Sequence, residues 1–101
     1  MDLRDYNIEY DEEKNDWLKT NRNICFDDIL PLIEEYDWLA IVDHPDPQKY
    51  PGQSVFVLAF GGECYAVPFV MDVEKKLIFL KTLYPSRKLR GIYLKEAEHD
   101  G

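Results

Sequence analysis

The chain has 101 residues, of which 46% are hydrophobic and 14% aromatic, with 20 acidic against 12 basic side chains and a net charge of −8. That composition excludes a disordered chain, and no apolar run approaches the ~18 residues of a membrane-spanning helix. The length suits one domain, residues 1–101, with a tail expected to fray over 97–101.

The acidic start, Met1 to Asp5, is unlike a signal peptide, so a cytoplasmic location is expected. Cys25 and Cys64 each sit in an apolar pattern and read as reduced thiols. Taken alone, the charge argues against nucleic-acid binding. Its distribution is uneven: residues 1–50 carry 14 Asp/Glu and 5 Lys/Arg, whereas residues 51–101 carry 6 and 7. All seven of those bases fall within 75–95, a window without an acid. Such a segment serves either a phosphate or internal pairing with the acidic half.

In chain order, Tyr6, Ile8 and Tyr10 alternate with polar residues and predict a short strand. Asp11 suits an N-cap, with Glu12 and Glu13 in the first turn of a helix to about Thr20 that buries Trp17 and Leu18. Asn21 and Asn23 suit its end. Phe26, Ile29, Leu30, Ile33 and Tyr36 recur at helical spacing and predict a second helix over 26–36. Pro31 within it predicts a kink, or a start near that residue.

Trp38 to Asp43 reads as a strand, and His44 to Gly52, with three prolines, as a long stiffened loop. Three strands follow, at 55–60, 64–71 and 76–84, the first two joined by Gly61-Gly62. Pro68 predicts a bulge or an edge position in the middle one. The last places Leu77, Phe79, Lys81 and Leu83 on one face and Ile78, Leu80, Thr82 and Tyr84 on the other. Ser86 caps a final helix with Arg87, Lys88 and Arg90 outward and Leu89, Ile92 and Tyr93 inward. A short strand, two helices, an antiparallel β-meander and a C-terminal helix make an α+β domain.

The segment Tyr10-Asp11-Glu12-Glu13-Lys14-Asn15, followed by Ile24-Cys25-Phe26-Asp27-Asp28-Ile29, resembles the opening of BrnT-type toxins, with Cys25 where that family commonly has serine. Asp43-His44-Pro45 is similar to the family's acid–His loop, and Ser86-Arg87-Lys88 to its S-A-R-K segment. The resemblance covers about residues 6–95. It implies a RelE-like ribonuclease fold, RNA cleavage as one half of a type II toxin–antitoxin pair, and silencing by a cognate antitoxin of the ribbon–helix–helix type. The chain departs from the family in its acidity, in lacking an arginine near Gly52-Gln53, and in a less basic last helix.

Metal-independent endoribonuclease chemistry needs a base for the ribose 2′-OH, a cation for the phosphorane and an acid for the leaving oxygen. Arg87 and Lys81 are the candidate cations and His44 the candidate base or acid. Lys88, Arg90 and Tyr84 are candidates for substrate binding. Each has a plainer alternative. Lys81 can snorkel at a sheet edge, Arg87 can form a surface ion pair, and Lys88 and Arg90 can lie on a solvated face. His44 can bond within its turn, and Tyr84 can be core. Asp43, His44 and Asp46 lack a second histidine, so no metal and no cofactor is expected. A second functional reading stays open: a non-catalytic protein-interaction module of the same fold, using its acidic N-terminal half.

Overall fold

Asp11 opens the first helix by accepting from the Glu13 and Lys14 amides through its carboxylate. Asn23, at φ +55°, closes it in the left-handed region that asparagine tolerates. In the computed structural model, which describes residues 3–94, the elements are β1 (Asn7–Tyr10), α1 (Glu12–Arg22), α2 (Phe26–Glu34), β2 (Ala40–Asp43), β3 (Gln53–Phe60), β4 (Glu63–Asp72), β5 (Leu77–Leu80), β6 (Tyr84–Pro85) and α3 (Arg87–Tyr93). The chain is thus an α+β domain. The tail from residue 97, together with Lys95, lies outside the described residues.

One six-stranded sheet runs β1-β5-β4-β3-β2, with β6 beside β4. The β2–β5 meander is antiparallel, and Gly61 and Gly62, both at positive φ, form the two-residue turn between Phe60 and its partner Glu63. β1 pairs parallel with β5, so the chain leaves β1, passes through both helices and the rest of the meander, and returns beside β1 as β5.

Alternation gives the sheet two buried faces. Phe56, Leu58, Val67, Phe69, Ile78 and Leu80 form one core with Leu18, Phe26, Ile29 and Ile33 of α1 and α2. On the other face Val55, Val57, Cys64 and Ala66 are also buried, and α3 lies against β4.

The structure differs from the sequence reading at three side chains and settles where the second helix starts. Trp17 is 44% exposed, because Lys14 and Arg22 place their charges 4.4 and 5.0 Å from its ring and hold it at the surface. Tyr36 is likewise exposed: α2 stops at Glu34, and Tyr36 adopts a left-handed φ of +60° beyond it. Ile92 is 60% exposed, because the inward stripe of α3 is rotated toward Leu89 and Tyr93 while Arg90 reaches Gly62. The second helix starts at Phe26 rather than near Pro31, since Asp28 accepts from the Cys25 amide at 2.9 Å and fixes the first turn.

Asn15, 1% exposed, joins the two helices. Its Oδ1 accepts from the Phe26 amide at 2.8 Å, and its Nδ2 donates to Asp27 at 3.1 Å. It thereby satisfies one of the open amides at the start of α2. Asn15→Ala leaves that buried amide unpaired. It is expected to lower the unfolding free energy by about 1–3 kcal/mol in a denaturant titration. A loss under about 0.5 kcal/mol, the range of ordinary surface changes, contradicts this role.

Asp27 also accepts from the Tyr10 hydroxyl. That bond, with the one from Asn15, holds the Asp27 carboxyl below the usual carboxylate range. The same bond pushes Tyr10 up to about 12 from 10.0. A depressed acid contributes stability that is present above its unfolded pKa and lost as pH falls through the folded one. For Tyr10 the folded state favours the neutral phenol, so its contribution is complete below pH 10 and lost toward about pH 12. The stability difference between wild type and Tyr10→Phe should therefore shrink across that alkaline window. A difference that stays constant across it contradicts the coupling.

Candidate functional site

Pro68 does not put β4 at an edge: β4 is third in the sheet and paired on both sides. The irregularity lies in its neighbour. Phe69 pairs with Leu80 and Ala66 with Tyr84, so three steps along β4 face four steps along the β5–β6 strand. One extra residue is accommodated at Lys81–Leu83. There the Lys81 amide donates to the Pro68 carbonyl at 2.8 Å, while proline has no N–H to return. The slip changes the alternation, so Leu83 enters the helix-side core, and Tyr84 stands with Lys81 on the opposite face. From across the sheet, Arg22 of α1 donates to the Leu83 carbonyl at 2.6 Å and anchors the bulge.

The loop between β2 and β3 folds toward this spot. The Asp46 carboxylate accepts from the Lys49 amide at 3.1 Å, and the Asp46 amide donates to His44 Nδ1 at 3.0 Å. The His44 ring packs on Tyr50 with centroids 4.4 Å apart. Because Nδ1 accepts a hydrogen bond, the proton of the neutral ring sits on Nε2. This tautomer presents a donor. Using Nε2 as a base would require releasing the Asp46 amide.

These pieces enclose an open depression of about 490 Å³. Lys81, Thr82, Tyr84 and Pro68 line it from the sheet, and His44, Tyr50 and Gln53 from the loop and β3. A second depression of about 150 Å³ shares Tyr84 and is lined by Val42, Asp43, Ser86, Lys88 and Leu89 among others. His44, Lys81 and Tyr84 are therefore brought together, and Lys88 borders them. Arg87, exposed at the first position of α3, lines neither depression. Arg90 turns away from both, its Nε donating to the Gly62 carbonyl at 3.4 Å. Sequence reasoning missed Tyr50 and Gln53, although a tyrosine inside a proline-stiffened loop was a usable signal.

Lys81 is exposed, with its ammonium 5.4 Å from the centre of the Phe79 ring. Among the described residues no carboxylate stands within ion-pair distance of Lys81, Arg87 or Lys88. The recorded ion pair joins Lys19 and Asp27 at 3.8 Å on the helix side. The acidic half therefore does not neutralise the depression. It offers an unpaired ammonium, an imidazole N–H and tyrosine rings, a set suited to a phosphate flanked by bases.

Other chemistries find less. Both cysteines are free and buried, and burial pushes each thiol up from its ordinary value. Arg90 acts against that rise at Cys64 without reversing it. Thiols of this kind are poor nucleophiles. Among the described residues, no group of three His, Cys, Asp or Glu is placed to hold a metal ion, and no helix is long and apolar enough to cross a membrane. No protein-family model, curated protein or solved structure matches this chain significantly.

Proposed function

We propose that this protein binds RNA across the depression beside the Lys81 bulge and cleaves it as a toxin-like, metal-independent endoribonuclease. The observation that carries the proposal is the convergence of Lys81, His44 and Tyr84 in one depression where no described carboxylate offsets the lysine. In this mechanism the ribose 2′-OH passes its proton to solvent water as its oxygen bonds to the adjacent phosphorus, and the P–O5′ bond breaks with the 5′-oxygen taking a proton from water, leaving a 2′,3′-cyclic phosphate. Lys81 stabilises the charge that builds on the phosphorane, and the His44 Nε2–H donates to one of its oxygens. Tyr50 and Tyr84 offer rings against which neighbouring bases stack. Lys88 extends the positive track along the strand. The chain supplies positioning and charge rather than a strong base, so turnover is expected to be slow. The resemblance to BrnT-type toxins supports a role paired with an antitoxin, and a RelE-like fold is part of the same proposal.

The test is incubation of purified protein with single-stranded RNA in the presence of a chelator. The expected products carry 2′,3′-cyclic phosphate ends, and expression of the chain alone is expected to arrest bacterial growth. Intact RNA together with unaffected growth overturns the enzyme proposal. The competing reading is an interaction module built on the acidic half. It is favoured by one observation, the position of Arg87 outside both depressions, and RNA binding without cleavage would select neither role for that half.

A further inference from the structure

β1 ends the sheet and pairs with β5 alone. The Asn7 amide donates to Lys76 at 2.9 Å, so in this parallel ladder Asn7 and Glu9 turn their peptide groups toward β5. Alternation then turns those of Ile8 and Tyr10 outward. The Ile8 peptide thus faces away from β5, the strand that β1 pairs with. The four residues Asn7–Tyr10 contain no lysine, proline or glycine, which are common guards of an exposed edge.

Two depressions follow one another along this edge, and both are lined by Ile8 of β1 and Leu30 of α2. One, of about 330 Å³, is completed by Leu3, Tyr6 and Ile33 among others. The other, of about 340 Å³, is completed by Tyr10 and Glu12 with Glu9. Their succession suits alternate side chains of an added strand, which recur every ~7 Å on one face. Glu9, Glu12 and Glu34 line these depressions. The single base there, Arg4, is already engaged within the fold.

We propose that the free edge of β1 takes up an extended segment of a basic protein partner as an added strand. Two apolar side chains at alternate positions enter the depressions, and lysines or arginines between and beside them meet the three glutamates. A second copy of this chain fits poorly, since pairing β1 with β1 would bring two sets of glutamates together. The inference does not depend on RNA cleavage: the two edge depressions lie on the helix side of the sheet, lined by Leu30 of α2, whereas Lys81 stands on the opposite face, and the test involves no nucleic acid.

The probe is a synthetic peptide alternating lysine and valine, titrated into isotope-labelled full-length protein. Binding should shift the Ile8 and Tyr10 amide resonances and slow their hydrogen exchange. The same peptide N-methylated at alternate residues should bind at least ~tenfold more weakly, because it cannot complete the backbone ladder. Glu9→Gln with Glu34→Gln should weaken binding and make what remains less sensitive to salt than in wild type. No binding at millimolar peptide overturns the assignment. So does equal affinity for the N-methylated peptide, protection confined to another segment, or self-association of the protein through β1.

Discussion

Under the proposed mechanism, Lys81→Ala is expected to lower RNA cleavage by about 10²–10³-fold, the range for removing one positioned stabiliser of a developing anion. The ammonium has no described carboxylate partner, so its full charge is available to the substrate. Its backbone is fixed independently of the side chain, through the amide bond to Pro68 and the Arg22 anchor on Leu83. The side chain is exposed, so stability should change by less than about 0.5 kcal/mol. Lys81→Arg keeps the charge and should retain most of the activity. Arg87→Ala is the informative control. Arg87 lies outside both depressions, and its loss should change the rate by no more than about threefold, on the scale of a screened surface charge. Equal losses at positions 81 and 87 would place the phosphate over the start of α3.

Phe56→Ala should produce the largest loss of stability, about 3–5 kcal/mol. Phe56 is fully buried, stacks on Phe69 with centroids 4.2 Å apart, and meets Trp38 at 5.4 Å. It therefore links β3 to β4 and to the segment leading into β2. Truncation removes the aromatic contacts and leaves a cavity that a sheet paired on both sides closes poorly. A domain of this length has roughly 5–15 kcal/mol in total, so the variant should approach the limit of folding at physiological temperature. Thermal unfolding measures it directly. Val73→Ala, at a side chain 60% exposed, should stay within about 0.5 kcal/mol of wild type. A similar loss at both positions would mean that Phe56 is not a centre of the core.

Local chemistry made much of this fold legible in the residues themselves. Asp11 and Ser86 are capping residues by type and serve as caps, and Gly61-Gly62 makes the two-residue turn its composition requires. Four strands of the meander could be placed because alternation and flanking breakers agree. Contacts between distant segments were not legible. Nothing local distinguishes Asn15 from the other asparagines of α1 and its flank, since its burial comes from the arrival of α2. The pairing of β1 with β5 is likewise a tertiary choice. Trp17 misled because hydrophobicity alone ignores the two cations, Lys14 and Arg22, that hold it outward.

The candidate site was half legible. His44 and Lys81 were singled out by residue type and position, but their proximity depends on the extra residue at 81–83, which regular alternation cannot reveal. That slip also explains why Tyr84 faces the depression. Arg87 looked equivalent to Lys81 because both belong to one basic run. Sequence adjacency did not carry over into space, since Ser86 starts a helix that carries Arg87 away from the sheet.

The measurement closest to the central claim is a titration of the isotope-labelled protein with a short single-stranded RNA, followed residue by residue. Perturbations should concentrate at His44, Tyr50, Gln53, Lys81 and Tyr84, weaken as salt rises, and vanish in Lys81→Ala. Perturbations confined to α1 and α2, or none at millimolar RNA, would contradict the account.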